Sequence, residues 1–272
     1  MKKPLIIWIL LFVFGAFFFL ILYGLAQVVT MRPDVPWWRT VIAVIGTSAV
    51  ILGIYELCIR IFEKRKATDL SLSVAAPDTG RGLLVGALYF LLVVGTMAAG
   101  RYYVIDSVQF DWQLQLEAFA LFFIVAVGEE VLFRGIIFRL IDQQFNTIAA
   151  LIVSALIFGV VHILNTNATW WSSLAIAIEA GVMLSVAYKY SGTLWLPIGI
   201  HWAWNYMQGN VLGFAVSGLD AGESIFTPVI TGPDFITGGE FGAEASVIAV
   251  FFGIVISLIL ALRRNRQGCS II

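Results

Sequence analysis

Three short patterns place groups capable of chemistry where the surrounding residues are apolar. Val-Gly-Glu-Glu-Val-Leu-Phe-Arg-Gly brings Glu129, Glu130 and Arg134 together, Phe-Gly-Val-Val-His sets Phe158 one turn before His162, and His-Trp-Ala-Trp-Asn holds His201 and Asn205. His162 and His201 are the only histidines in the chain. A carboxylate and an imidazole that share a water can draw a proton from it and make it a nucleophile. Imidazole and carboxamide N–H groups can hold the oxyanion that forms when such a water attacks a carbonyl. Glu129 is therefore the candidate base, His162 the group that orients and polarises the water, and His201 with Asn205 the candidate oxyanion donors. Two histidines and a carboxylate can also bind zinc with water as the open ligand. That set would be Glu129, His162 and His201. No His-Glu-x-x-His pattern occurs, so the zinc reading rests on ligand type alone.

The elements that carry these groups follow from composition. Of 272 residues, 60% are hydrophobic and only 12% charged, with a mean hydropathy of +0.95. A soluble domain carries about 25% charged residues, so too little polar surface exists to coat one. A bilayer is the solvent that fits. A net charge of -1 leaves no basic face for nucleic acid. The two cysteines, Cys58 and Cys269, have no CxxC spacing and indicate neither a disulfide framework nor a thiolate metal site.

Runs long enough to cross ~30 Å of hydrocarbon need about 20 residues each. Eight are read, at roughly 4–28, 40–62, 82–103, 114–140, 148–165, 171–190, 193–214 and 244–262. The expectation is an all-α polytopic bundle, one membrane domain over 1–272 with its catalytic core near 114–214. The first run is too long and uniform for a cleaved signal and is read as an anchor. An even number of spans puts both termini on one side. That side collects Lys2, Lys3, Arg60, Lys64, Arg65, Lys66, Arg81, Arg134, Arg139, Lys189, Arg263, Arg264 and Arg266, and leaves out only Arg32, Arg39 and Arg101. The connection between spans seven and eight carries acids and no Lys or Arg. The positive-inside rule then makes both termini cytoplasmic in a cell membrane.

Helical spacing assigns faces. Glu130 and Arg134 are four residues apart and can pair, which turns Glu129 by ~100° towards a cavity. His201 and Asn205 share a face, and Phe158 lies beneath the His162 imidazole. With a ~1.5 Å rise per residue, all three patterns reach similar depth near mid-membrane. Each piece also has a plainer role. A buried histidine is often a helix–helix hydrogen-bond partner, and a Glu–Arg pair at this spacing is often structural. Glu179, a lone acid in the sixth span, is read as packing or cavity lining. It is the convergence of three patterns that favours a functional site. A charge relay of Glu129, Glu130, Glu179 and the histidines would alternatively suit a proton-coupled transporter. The break at Pro197 and Gly199 has no mirror in the other half, which that reading would want.

Together the Glu-Glu-x-x-x-Arg, Phe-x-x-x-His and His-x-x-x-Asn patterns resemble the CAAX protease and bacteriocin-processing family, strongly over roughly 114–214. The resemblance implies an intramembrane endopeptidase acting on a membrane-associated peptide or protein. In it Glu129 and His162 would activate water, His201 and Asn205 would form the oxyanion hole, and Glu130, Arg134 and Phe158 would support them. It is compatible with either a zinc-dependent or a metal-free glutamate mechanism. Asn205 suits an oxyanion donor better than a zinc ligand, so the expectation is no cofactor. A non-catalytic immunity protein on the same fold is the third reading.

Overall fold

The computed structural model describes Gly15 and residues 36–266. The first expected span, 4–28, therefore lies outside the described residues apart from Gly15. The other seven apolar runs all form helices. They are α1 (Trp37–Cys58), α2 (Ala75–Ala99), α3 (Trp112–Glu130), α5 (Thr147–His162), the pair α6 (Trp170–Ile176) and α7 (Met183–Ser191), α8 (Trp195–Tyr206) and α10 (Val247–Arg266). Between them lie α4 (Arg139–Gln144) and the single-turn α9 (Asp234–Thr237). Among the described residues three stretches are long and apolar enough to cross a membrane, Trp37–Glu63, Thr68–Ala99 and Trp170–Ser191. Thr147–His162 and Val247–Arg263 are apolar but shorter. Leu84, Leu88, Ile152, Leu156, Phe251 and Leu258 point outward, while Glu130, Arg134 and Glu179 are buried. That inversion of the usual soluble pattern marks a surface made for lipid.

Side-chain caps start the helices. Asp111 accepts the backbone N–H groups of Gln113 and Leu114 ahead of α3, Asn146 accepts that of Ala149 ahead of α5, and Thr169 with Ser172 forms a reciprocal capping box ahead of α6. Within the bundle, α2 and α8 approach closely through glycines on both sides. A Cβ on Gly82 would lie 2.4 Å from the Leu196 carbonyl oxygen, and one on Gly199 would lie 2.4 Å from that of Thr79. Backbone here meets backbone, and nothing flexible can move aside. Gly82→Ala is expected to lower stability by about 1–3 kcal/mol, read as a drop in Tm in detergent. Because α8 carries His201 and Asn205, the same variant should lose turnover.

One feature departs from an all-helical chain. Tyr103–Val108 (β1) and Phe226–Ile230 (β2) pair antiparallel, Tyr103 opposite Ile230 and Val108 opposite Phe226, with an irregularity between Ile105 and Ser107. Both segments are rich in β-branched and aromatic residues. The third span, expected to run to 103, ends at Ala99, where Gly100 and a left-handed Arg101 (φ 62°) turn the chain out. The connection before the last span is no open loop either. Phe214, Val216, Phe241, Ala243 and Ala245 are buried, Asn165 Nδ2 donates to Ser217 O (2.9 Å) and Trp171 Nε1 donates to Ala245 O (2.7 Å). It folds back against the end of the bundle where His162 terminates α5. The last helix accordingly starts at Val247, and Glu244, expected at its first residue, sits in a buried 3₁₀ turn (Ala243–Ala245).

Candidate active site

The site grows from the helix that follows Asp111. α3 passes without a break into a π-helical stretch, Val131–Phe138, that begins directly after Glu129 and Glu130. Asn205 is likewise followed closely by a π-helical stretch (Met207–Val211), and the stretch Ala177–Val182 joins α6 to α7. Such insertions rotate side chains off the regular helical track and frequently mark functional positions.

Glu130 is 0% exposed and is the hub. Its Oε1 accepts from Arg134 Nη1 at 2.7 Å and from His201 Nδ1 at 2.9 Å. The Glu130–Arg134 pair expected from spacing is present, but Glu130 also reaches across to α8. Arg134 in turn donates through Nη2 to the carbonyls of Ala180 (2.9 Å) and Gly181 (3.3 Å), tying the α6–α7 helix to the cluster. Its guanidinium lies 4.9 Å from the Phe158 ring centroid, and that ring lies 4.5 Å from His162. Phe158 is thus clasped between a cation and an imidazole, as well as lying beneath the latter.

Glu129 is less enclosed, its side chain 13% exposed. Its Oε2 has no hydrogen-bond partner and lies 3.9 Å from His201 Nε2. Sequence spacing joins Glu129 to His162; the direct neighbour is His201, with His162 within electrostatic reach of both. Spacing along separate helices reports depth but not which faces meet, which is why this pairing is hidden in the sequence.

Hydrogen-bond partners fix the imidazole tautomers. His162 Nδ1 lies 2.7 Å from the Phe158 carbonyl, which can only accept, so the hydrogen is on Nδ1 and Nε2 carries the lone pair in the neutral ring. His201 Nδ1 likewise donates to Glu130. His201 Nε2 can therefore donate to an oxyanion only as an imidazolium. Both Glu129 and Glu130 face the His201 ring, and Glu130 also pairs with Arg134. Asn205, buried on the same face as His201, makes no hydrogen bond to another protein group among the described residues and keeps its amide N–H groups free.

No three His, Cys, Asp or Glu side chains among the described residues converge as a metal-holding group. The Nδ1 bonds of His162 and His201 leave both Nε2 atoms open, but Glu129, His162 and His201 are not drawn together as a metal-holding group.

Residues 111–207 match the family described as type II CAAX prenyl endopeptidase, Rce1-like. The chain carries an Rce1-like segment. It covers about a third of the chain and spans every candidate site residue, from the cap of α3 to just beyond Asn205. This agrees with the resemblance seen in the three patterns. No curated protein and no solved structure matches the chain. Three residues packed beside this cluster escape a reading of the sequence. Trp204, Gln208 and Tyr89 are buried beside it, and only an i, i+4 aromatic–amide spacing at Trp204 and Gln208 hints at the first two.

Proposed function

We propose that this protein is an intramembrane endopeptidase that hydrolyses a peptide bond in a membrane-associated substrate by a glutamate-dependent, metal-free route. The observation that carries it is the grouping of an unpartnered Glu129 carboxylate oxygen, a His162 ring with its lone pair on Nε2, and two potential donors, His201 and Asn205, on one face of α8. A water would give one hydrogen bond to Glu129 and another to His162 Nε2, leaving a lone pair for the substrate carbonyl. Glu129 takes the proton as the C–O bond forms. Protonated His201 and the Asn205 amide donate to the carbonyl oxygen as it becomes negative. Collapse breaks the C–N bond, and the proton held by Glu129 passes to the leaving amine. Glu130 and Arg134 keep His201 aimed, and Phe158 keeps His162 aimed.

The charge bias of the loops supports eight passes with both termini in the cytoplasm, and a single membrane domain whose core is the Rce1-like segment. The family name favours a lipidated C-terminal tail as substrate class.

The deciding experiment is cleavage of membrane-tethered peptides by purified wild type and Asn205→Ala, each with and without a strong chelator. Loss of the amide donor should lower kcat by about 10²–10³ with little change in KM, while the chelator leaves the wild-type rate unchanged. Chelator-sensitive activity restored by zinc would overturn the metal-free route. Absence of cleavage by folded wild type across a peptide panel would favour a non-catalytic role for the same fold.

A further inference from the structure

Glu179 is a buried acid that the proposed chemistry leaves unused. It lies in the π-helical stretch between α6 and α7 and is 0% exposed. Among the described residues no Lys, Arg or His lies within ion-pair distance of it, unlike Glu130. Its Oε1 has no hydrogen-bond partner, and its Oε2 meets the Tyr89 hydroxyl. That hydroxyl also lies 3.0 Å from the Ala249 carbonyl oxygen.

Counting hydrogens settles the direction of these bonds. A tyrosine hydroxyl has one hydrogen to give, and a peptide carbonyl has none. Both contacts are full two-centre hydrogen bonds, rather than one hydrogen shared between two acceptors, when Tyr89 donates to Ala249 and accepts a hydrogen from Glu179. The charge around it agrees. Glu244, 1% exposed, lies close enough for the two carboxyls to act on each other. Glu244 accepts the Ser217 backbone N–H, and burial pushes its carboxyl up to about 7. Two neighbouring carboxylates are unfavourable in an apolar interior, and His201 acts on Glu244 but not on Glu179. Glu179, which accepts no N–H, is the one to hold its hydrogen.

We propose that Glu179 is a neutral carboxylic acid that donates to the Tyr89 hydroxyl, which donates to the Ala249 carbonyl, and that this chain positions His201. The chain joins α2, the α6–α7 helix and α10. The Tyr89 ring meets Trp204 edge-on at 5.2 Å, and Trp204 lies 6.4 Å from His201. Fixing Tyr89 therefore fixes the wall against which the His201 imidazole stands. Because Glu179 is uncharged, it does so without adding a further anion beside Glu244 and the cluster of Glu129, Glu130 and Arg134. The assignment of the hydrogen stands alone; the positioning role rests on the peptidase reading.

Infrared spectroscopy tests the first part without any turnover. The wild type should show a carboxylic-acid C=O band that persists at neutral pH and that Glu179→Gln removes. If Glu179→Gln removes no such band, the neutral acid is wrong whatever the protein's activity. Kinetics test the second part. Glu179→Ala should lower kcat by on the order of 10–100-fold at nearly constant KM, through displacement of the donors. Glu179→Gln, whose amide N–H can replace the acid O–H, should recover most of that loss. Equal loss in both variants would mean that a charge is needed at this position and would overturn the proposal.

Discussion

Glu129→Gln should fold as the wild type does and cleave a membrane-tethered peptide about 10²–10⁴ times more slowly, the usual worth of a positioned general base. The two halves of this expectation have separate origins. Folding survives because Glu129 Oε2 makes no hydrogen bond that an amide would break, and the side chain stays at the edge of the cluster, 13% exposed. Rate is lost because an amide cannot take the proton that water must give up. A second effect adds to the first. The amide would remove the carboxylate that stands 3.9 Å from His201 Nε2, and with it part of the electrostatic setting in which that ring meets the oxyanion. The measurements are single-turnover cleavage and thermal unfolding on the same detergent preparation. Near-wild-type cleavage by a folded Glu129→Gln would place water activation on another group.

How far the sequence could reach is visible in particular residues. The apolar runs were legible because lipid demands length and hydropathy, and seven of them form helices among the described residues. Their ends were less so. Of the Tyr103–Val108 strand only Tyr103 falls within the expected third run, and the pairing that makes the segment a strand comes from Phe226–Ile230, far along the chain. The site residues were legible as types because ionisable groups stand out in apolar helices. Pairs within one helix were legible as well, since Glu130 with Arg134 and Phe158 with His162 follow from 3.6 residues per turn. Contacts between helices were not. Nothing along the chain says that Glu130 Oε1 meets His201 Nδ1, that Arg134 reaches the Ala180 carbonyl, or that Tyr89 stands between Glu179 and Ala249. These depend on the rotation of each helix about its axis. The π-helical stretches reset that rotation beside Glu130 and Asn205 and through Glu179 itself.

Arg134→Ala should be the most damaging single change to stability, costing about 3–5 kcal/mol. Arg134 is 1% exposed, and its loss leaves the Glu130 carboxylate buried against a histidine with no permanent cation. It also leaves the carbonyls of Ala180 and Gly181 without their donor and removes the cation from the Phe158 face. A fall in Tm on the order of 10 °C is the expected reading in detergent. Arg134→Lys should recover little, because one ammonium cannot span Glu130 and two carbonyls as the planar fork does. The pair Glu130→Met with Arg134→Met separates stability from function. Replacing both partners of a buried ion pair by apolar groups of similar size is often neutral for stability, so the double variant should regain the part of the lost Tm that comes from the uncompensated Glu130 carboxylate, but not the part from the Ala180 and Gly181 carbonyls. It should not regain turnover, since His201 would have lost the carboxylate that holds Nδ1–H and aims Nε2 at the reacting oxygen. Recovery of both together would show that Glu130 serves the fold alone, and that the catalytic aim of His201 is set from elsewhere.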